Sequence, residues 1–391
     1  MDFLDKTFTI IAKTLFGLEE VLLQELQELG AEEAVTITRG VSFRGDRKLL
    51  YSCNYASRLA LRFLVPIAEF PARDEEELYN RIKRIPWEQY LDIRQTFAIE
   101  SNIFRSRLNH SKYIALKAKD AIADRFRDKR GQRPSVDTIE PDVRISLHIQ
   151  QDNCTVLLDS SGSSLHLRGY RNRTSPAPLN EVLAAGMIRL SGWDTTTDFV
   201  DPMCGSGTLP IEACLMAMHV PPGKIRQDFG FMKWKNFDAD LWMKIRESLD
   251  SKILSRPPCR IQGYDNNPDM VSISRTHATS AGVKAFTDFA KRDFFTAEPP
   301  YPSGFMITNP PYGERIQVEN GALFYKNIGD TLKKIYAGYT AWILSGDMDS
   351  LKHLGLKPNK KISLLNGQLE CKFQKFELYS GSRKITKHTE D

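Results

Sequence analysis

The sequence has no clustered cysteines or histidines and no long apolar run. Its six cysteines lie far apart without a Cys-x-x-Cys pair, and its seven histidines form no His-Glu-x-x-His. These absences disfavour a zinc site. No apolar stretch approaches the roughly twenty residues of a membrane span, and Met1–Lys6 does not begin a secretory leader. We therefore expect a cytoplasmic protein with reduced thiols, no membrane segment and no metal.

The glycine turn at Asp201–Thr208 lacks the residues that are typical of phosphate binding. It follows a predicted strand and opens a predicted helix, which is where glycine-rich turns bind nucleotides. It has neither a Lys-Ser/Thr ending nor a three-glycine fingerprint, so a pyrophosphate ligand is poorly supported. Gly205 and Gly207 would let another ligand approach the backbone, and a plain tight turn is the alternative.

The chain has a small excess of positive charge, and this excess is concentrated in one segment. The 391 residues carry 54 Lys and Arg against 49 Asp and Glu, a net charge of +5. Ser101–Ser135 contains ten basic and three acidic residues, so it holds +7 and the remainder −2. Since structured RNA is recognised largely through phosphates and shape, we predict an RNA-binding surface, with a solvated helix face as the alternative. The predicted RNA-binding residues are Arg105, Arg107, Lys112, Lys119, Arg125, Arg127 and Arg130, continued by Arg171 and Arg173.

Short strand and helix patterns alternate through the N-terminal part of the chain. Apolar residues at helical spacing predict helices at Leu18–Leu29, Asp74–Ile85 and Ser111–Phe126. Strands are predicted at Thr7–Ile11, Val35–Thr38, Val41–Arg44, Thr96–Ile103, Val143–Ile149, Thr155–Asp159 and Ser164–Arg168. This alternation is typical of small α+β modules.

After Gly169 the pattern changes to repeated strand and helix units, which predict a mostly parallel sheet with helices on both faces. The predicted strands are Asp198–Asp201, Arg260–Asp265, Lys284–Asp288, Gly304–Thr308 and Tyr339–Ser345, and the predicted helices are Leu209–Met218, Asp269–Ala281 and Ala322–Tyr336. Lys360–Leu365 and Leu369–Tyr379 flank Asn366-Gly367, a strong signal for an antiparallel hairpin that closes the sheet.

Aspartates follow the second and third predicted strands of this half. Asp265 lies at a strand tip, where a carboxylate can accept both hydroxyls of a ribose. Asp293 could accept a hydrogen bond from an adenine amino group, with Phe294 against the ring. For either aspartate alone, a helix N-cap or a loop acid is the alternative interpretation. The long interval before Asp265 predicts an inserted segment with Pro221, Pro222, Trp234 and Trp242.

The most informative motif is Asn309-Pro310-Pro311-Tyr312, directly after an apolar strand. Two consecutive prolines remove two backbone donors and fix φ, so this corner presents only hydrogen-bond acceptors. If the Asn309 side-chain oxygen and the Pro310 carbonyl each accept one N–H of an exocyclic base amine, the amine lone pair points at an electrophile. Tyr312 can stack on an extruded base, as base-modifying enzymes require. A proline-rich turn after a strand is the alternative in isolation.

Together these motifs resemble those of class I S-adenosylmethionine (SAM)-dependent methyltransferases that methylate amino groups, over about Arg173 to Tyr379. The resemblance implies an α/β fold: a Rossmann-like domain whose mostly parallel seven-stranded sheet ends in an antiparallel hairpin. It implies that Asp201, Gly205 and Gly207 surround the methionine part of SAM, while Asp265 holds the ribose and Asp293 reads the adenine. Ala177–Glu181 looks like the family's motif before the first strand.

The site residues implied by this resemblance form two sets. The catalytic set is Asn309, Pro310, Pro311 and Tyr312. The cofactor-binding set is Pro178, Leu179, Asn180, Asp201, Pro202, Cys204, Gly205, Gly207, Thr208, Asp265, Asn266, Asp293, Phe294 and Asn309.

The whole chain resembles RNA methyltransferases with a THUMP domain. This implies a ferredoxin-like unit at 1–68, a THUMP RNA-binding domain at 69–168 and a methyltransferase domain at 169–391. Within that group the motifs are similar to those of bacterial enzymes that make N2-methylguanosine in 23S ribosomal RNA, in particular to the N-terminal half of the longer fused enzymes. The implied partner is therefore RNA, with 23S rRNA as the expected substrate.

The motifs leave other functions open. The Asn-Pro-Pro-Tyr corner accepts an amine without identifying its base, so guanine in tRNA and adenine N6 in DNA are alternative targets. A nucleic-acid-binding assembly factor without catalysis is an alternative from another class. We favour direct methyl transfer, because the corner contains no cysteine for a covalent intermediate.

Overall fold

The computed structural model describes residues 6–172, 178–311 and 321–379. The chain forms two compact units. The first comprises the residues up to Arg168 together with Pro221–Ile253, and the second comprises Gly169–Val220 and the residues from Leu254 onward. The predicted insertion after the glycine turn therefore folds with the first unit, although it lies within the second in sequence.

The first unit contains one eight-stranded sheet. Its strands are β1 (Phe8–Lys13), β2 (Glu32–Ile37), β3 (Gly40–Gly45), β4 (Arg62–Pro71), β5 (Thr96–Phe104), β6 (Ser135–Val136), β7 (Val143–Gln150) and β8 (Asn153–Asp159), in the order β2-β3-β1-β4-β8-β7-β5-β6. Antiparallel pairing of β4 with β8 makes the sheet continuous. In contrast, β5 runs parallel to β6 and β7.

Four helices accompany these strands: α1 (Glu19–Glu28), α2 (Arg47–Ala56), α3 (Glu75–Arg84) and α4 (Ser111–Arg130). The predicted helix at Ser111–Phe126 continues for one more turn and ends at Gly131, whose φ of +68° suits glycine. The strand predicted at Ser164–Arg168 is wrong. These residues form turns, which the buried Arg168 guanidinium stabilises by donating to the carbonyls of Leu165 (2.7 Å) and Arg58 (2.6 Å).

The second unit contains a seven-stranded sheet in the order β11-β10-β9-β12-β13-β15-β14. Its strands are β9 (Phe199–Asp201), β10 (Ile261–Asp265), β11 (Asp288–Lys291), β12 (Gly304–Thr308), β13 (Tyr339–Ser345), β14 (Lys360–Asn366) and β15 (Leu369–Glu377). The first five are parallel, and β15 is antiparallel to both β13 and β14. Gly367 adopts the left-handed conformation that the hairpin turn requires. The predicted fold class is confirmed.

One predicted strand of this sheet is displaced. Lys284–Asp288 was expected to be extended, but Lys284–Phe286 forms a 3-10 turn and β11 starts only at Asp288. The reason is local: the Phe286 N–H donates to the Val283 carbonyl (2.9 Å), which continues the turn that ends the preceding helix.

The remaining described residues contain six helices: α5 (Glu181–Ser191), α6 (Thr208–Ala217), α7 (Ala239–Asp250), α8 (Pro268–Ser280), α9 (Gly321–Ile335) and α10 (Met348–Leu351). Helix α7 belongs to the insertion, and the others to the second unit. The apolar face of α9 buries Tyr325, Ile328 and Leu332 against Val200 and Met306 of the central strands, and burial of apolar surface is the main favourable term in folding. Within the described ranges, every helix is too short or too polar to span a membrane.

Candidate active site

Three parallel neighbouring strands deliver the predicted site residues to one edge of the second sheet. β9 ends at Asp201, β10 at Asp265, and β12 ends one residue before Asn309. Register pairs Gly263 with Asp201 in the β10–β9 ladder. Because the carboxyl ends of parallel strands meet at the same edge, these side chains border one crevice, which is where ligands bind in open α/β sheets.

The glycine turn that follows β9 is fixed by backbone hydrogen bonds and close packing. The Cys204 N–H donates to the Tyr264 carbonyl (3.0 Å), and the Gly207 N–H to the Cys204 carbonyl (2.9 Å). Gly205 and Gly207 have φ of +52° and +82°. A Cβ on Gly207 would lie 2.8 Å from the Ser274 Cβ, whereas space around Gly205 is open. Conformation therefore requires glycine at both positions, and packing requires it at Gly207 as well.

Asp201 is a buried carboxyl group below this turn. It is 2% exposed, and its Oδ1 accepts hydrogen bonds from the Thr308 hydroxyl (2.8 Å) and the Met203 N–H (3.2 Å). Burial raises the pKa of Asp201 to about 7, and the charge of Asp265 also raises it. Among the described residues no Lys or Arg forms an ion pair with Asp201, so a ligand ammonium group would complete its environment.

Asp265 links the second strand to the glycine turn. Its Oδ2 accepts the Gly205 N–H (3.0 Å), and its Oδ1 accepts the Asn267 N–H (2.9 Å). These bonds hold the carboxylate at the crevice while leaving lone pairs for ribose hydroxyls. Asn266 beside it is exposed, and Asn267 caps α8. The placement fits the predicted role of Asp265.

Asp293 and Phe294 differ in what they can offer a ligand. Asp293 is exposed, and its Oδ1 accepts the Phe295 N–H (3.0 Å). This bond stabilises the loop, which is the alternative role considered for Asp293 in the sequence. Phe294 is 3% exposed and stacks on Tyr336, with ring centroids 5.5 Å apart. The ring of Phe294 packs in the core against Tyr336, and its packing against adenine stays a prediction.

Asn309 places an unpaired acceptor at the end of β12. Its Oδ1 is buried and has no hydrogen-bond partner among the described residues. A buried amide oxygen without a donor is costly, so the arrangement fits a ligand N–H. Pro310 is buried and Pro311 exposed. The predicted catalytic residue Tyr312 lies outside the described residues.

The segment before α5 is held against the start of α6 by Arg171. Its guanidinium donates to Glu181 Oε1 (2.5 Å), to the Leu179 carbonyl (2.6 Å) and to the Thr208 hydroxyl (2.9 Å). Asn180 caps α5 by accepting from the Val182 N–H. Pro178 is exposed. Arg171 was predicted to bind RNA, and this was wrong because its side chain joins two parts of the cofactor-binding set. Arg171 and Glu181 are ten residues apart, and a spacing of ten residues does not indicate from sequence that the two side chains pair.

The predicted RNA-binding residues of the first unit fall into two groups. Arg125 is 13% exposed and forms hydrogen bonds of 3.0–3.2 Å with both carboxylate oxygens of Glu88, so its assignment to an RNA surface was wrong. The others lie on the surface. Three of them form ion pairs: Arg107 with Asp152, Lys119 with Asp120, and Arg127 with Asp124. Arg105 lies over the Phe104 ring, and Lys112 and Arg130 are exposed. Arg173 lies outside the described residues.

Sequence reasoning missed Thr308 and the contacts of Arg171 with Glu181, Leu179 and Thr208. Thr308 is 1% exposed and bonds Asp201 across the β9–β12 pair. The available signal was a hydroxyl at the last position of an otherwise apolar strand, immediately before Asn309. Thr308 therefore couples the two strand ends that carry the predicted methionine and amine contacts.

Comparison with known proteins gives three domain matches along the chain. Residues 9–64 match the RlmL ferredoxin-like domain, residues 72–159 the THUMP domain, and residues 168–375 the RMKL-like methyltransferase domain. A protein of Synechocystis sp. (strain PCC 6803) named as an RNA methyltransferase is 40% identical over 364 residues, which cover 93% of this chain and 95% of that protein.

Two further similarities concern the longer enzymes and the cofactor. Ribosomal RNA large subunit methyltransferase K/L of Syntrophotalea carbinolica is 38% identical over 387 residues, covering 96% of this chain and 54% of that protein, so the chain spans about half of this relative. The crystal structure of SMU.472, a methyltransferase complexed with SAH, is 30% identical with a TM-score of 0.87, covering 97% of this chain and 100% of that one.

These matches confirm the resemblance to THUMP-containing class I methyltransferases and SAM as the cofactor. The methyltransferase match alone spans more than half of the residues. The chain therefore belongs to the RMKL-like methyltransferase family.

Proposed function

We propose that this protein transfers the methyl group of SAM to an exocyclic amine of RNA, most specifically to N2 of guanine in 23S rRNA. The buried Oδ1 of Asn309, which has no partner among the residues that the structure describes, carries the proposal, because it stands at the same sheet edge as Asp201 and Asp265 and can accept an amine N–H. The names of the K/L relatives support ribosomal RNA as the substrate. A cytoplasmic location follows from that substrate and is part of the proposal.

The residues of this chain would act mainly by positioning. SAM, when bound, supplies an electrophilic methyl group. Asn309 Oδ1 and the Pro310 carbonyl would each accept one N–H, which directs the nitrogen lone pair at the methyl carbon, and Tyr312 would stack on the base. Positioning of this kind can contribute up to about 7–11 kcal/mol. The amine loses its proton after transfer, so a strong base is not required.

The state of Cys204 supports direct transfer over a covalent intermediate. Cys204 is 7% exposed, and burial raises the pKa of its thiol well above the usual value, with the charges of Asp201 and Asp265 adding to the effect. The thiolate is the nucleophilic form of cysteine. A neutral, buried thiol in the cofactor turn is therefore a poor attacking group.

We propose the domain bounds 1–68, 69–168 and 169–391 for the ferredoxin-like, THUMP and methyltransferase parts, with RNA binding by the exposed cations of α4. The division into compact units adds that Pro221–Ile253 packs with the first two. The basic segment would hold the RNA while the second unit receives the target base.

Methyl transfer from labelled SAM to total rRNA, tRNA and DNA, followed by nucleoside analysis, tests the function. We expect N2-methylguanosine in rRNA. Asn309→Ala should lower the rate at saturating SAM by about two to three orders of magnitude, as loss of one transition-state contact does elsewhere, which is a larger effect than any change in SAH affinity. Asn327→Ala, at an exposed position of α9, is the matched control. Label in tRNA or DNA alone would favour the alternative substrates, and absence of both transfer and SAH binding would favour the assembly factor.

A further inference from the structure

An open cleft of about 1060 Å³, lined by both polar and apolar side chains, lies in the second unit beside β11, the edge strand of the sheet. Its volume matches the upper range of small-molecule pockets. The start of β10, the first residue of β11 and the loop 297–301 line it. None of the predicted cofactor-binding or catalytic residues is in its lining. The cleft is therefore separate from the candidate active site.

Gln262 brings an unpaired acceptor to the wall of this cleft. It is 4% exposed, and its Nε2 donates to the Asp288 carboxylate. A carboxylate only accepts, which fixes the amide nitrogen toward Asp288 and leaves Oε1 as a free acceptor. That Oε1 is buried and has no partner within the described ranges. A buried acceptor in a cleft wall is the feature that a ligand donor would satisfy.

A flat stacking surface stands next to these acceptors. The Arg260 guanidinium lies over the Tyr301 ring, 4.1 Å from its centroid, and is paired with Asp198. One face of the guanidinium therefore rests on the tyrosine and one edge on the carboxylate. The Arg260 side chain is still 63% exposed. Guanidinium planes and aromatic rings are the surfaces on which unpaired RNA bases stack.

We propose that this cleft binds an unpaired guanine of the RNA substrate, an inference that rests on the proposed function. The acceptors Gln262 Oε1 and Asp288 match two adjacent donors, and guanine presents N1–H and N2–H₂ side by side. Adenine and cytosine place a ring lone pair beside their amine, which a carboxylate repels. Uracil flanks its single N–H with carbonyls, which a carboxylate also repels.

Basic side chains around the edge strand complete a path for the RNA backbone. Arg256 and Arg292 line the cleft together with Glu298, and a second groove of about 380 Å³ is lined by Arg275, Lys284 and Lys291. The described lining of that groove contains no acidic residue. Phosphates on either side of the bound guanine would meet these cations. The guanine in the cleft anchors the strand and is not the base that is methylated.

Fluorescence anisotropy with a labelled uridine heptanucleotide carrying one central guanine tests the proposal on the full chain. Versions with adenine or inosine at the centre are compared. We expect the guanine version to bind about tenfold or more tightly than the adenine version, with inosine between them, since it lacks N2–H₂. Asp288→Asn, which keeps the size of the side chain, should abolish this preference. Asp330→Asn on α9 is the matched control and should leave it unchanged.

Asn309→Ala separates the cleft from the active site. Retention of the guanine preference in Asn309→Ala together with its loss in Asp288→Asn would support the proposal. Loss in Asn309→Ala with retention in Asp288→Asn would overturn it, as would equal binding of all three oligonucleotides by the parent protein. If the parent protein shows the preference but transfers no methyl group to any RNA, the proposed function fails and the cleft remains a guanine site.

Discussion

Asp201 is the titratable group on which the cofactor crevice depends most. Burial raises its pKa to about 7, and the Thr308 hydroxyl opposes that shift by donating to the carboxylate. An Asp with a raised pKa favours the folded state when protonated. Its contribution is therefore complete below the unfolded pKa of about 4 and is lost as pH rises through about 7.

The affinity for the cofactor should rise with pH, whereas the contribution of Asp201 to folding stability falls. We propose that ionised Asp201 contacts the ammonium of the methionine part, so we expect SAH to bind about tenfold more tightly at about pH 8 than at about pH 6. Isothermal titration calorimetry across this range measures the effect. Asp201→Asn should bind weakly with a flat profile.

Thr308→Val provides the companion variant. Removal of the hydroxyl takes away a hydrogen bond that lowers the pKa of Asp201, so the profile should shift to higher pH. A parent protein whose SAH affinity does not vary from about pH 6 to about pH 8 would show that Asp201 does not contact the ammonium.

At the scale of the element, helix α4 shows that the number of cations in a segment differs from the number that are exposed on its surface. The sequence places ten cations between residues 101 and 135. The fold turns Arg125 toward Glu88 and the carbonyl of Lys83 (3.0 Å), while Arg127 and Arg130 stay on the surface. Orientation around the helix axis, which a count does not contain, decides which cations can meet phosphates.

Two kinds of α4 variant should separate these roles. Arg127→Gln with Arg130→Gln should lower the salt slope of rRNA binding by about 2 without changing stability.

Arg125→Ala should lower the free energy of unfolding by about 2–3 kcal/mol, because it leaves Glu88 without its bidentate partner. Salt titrations of RNA binding and urea unfolding measure the two effects. Arg94→Gln, at a side chain that is 90% exposed outside the segment, is the control for charge alone. An unchanged salt slope would place the RNA surface elsewhere.

At the scale of the whole molecule, the insertion Pro221–Ile253 is a structural part of the first unit. Phe231 stacks on Tyr51 with ring centroids 4.1 Å apart, and Trp242 meets Tyr55 edge-on at 5.4 Å. A Cβ on Gly230 would come within 2.7 Å of the Asp159 carbonyl oxygen, so the backbones approach too closely for a side chain. The first unit is therefore completed by residues that follow the glycine turn in sequence.

Trp242→Ala should destabilise the first unit specifically. Loss of this 6% exposed ring costs about 3–5 kcal/mol by cavity formation. Amide hydrogen exchange should show reduced protection in β1–β8 and unchanged protection in β9–β13. The matched variant Trp193→Ala, which removes a ring 5.0 Å from Phe199 in the second unit, should show the reverse. Equal loss of protection in both units for either variant would contradict this division.

The sequence by itself determined the order of the elements, the parallel sheet with its closing hairpin, and the strand ends that carry Asp201, Asp265 and Asn309. These features are local, because periodicity, glycine turns and the two prolines act within a few residues. The tertiary structure alone decided that Arg171 and Arg125 are held in ion pairs, that Phe294 belongs to the core, and that Pro221–Ile253 joins the first unit. Each depends on contacts between residues distant in the chain, and the direction of a side chain and its burial are set by those contacts.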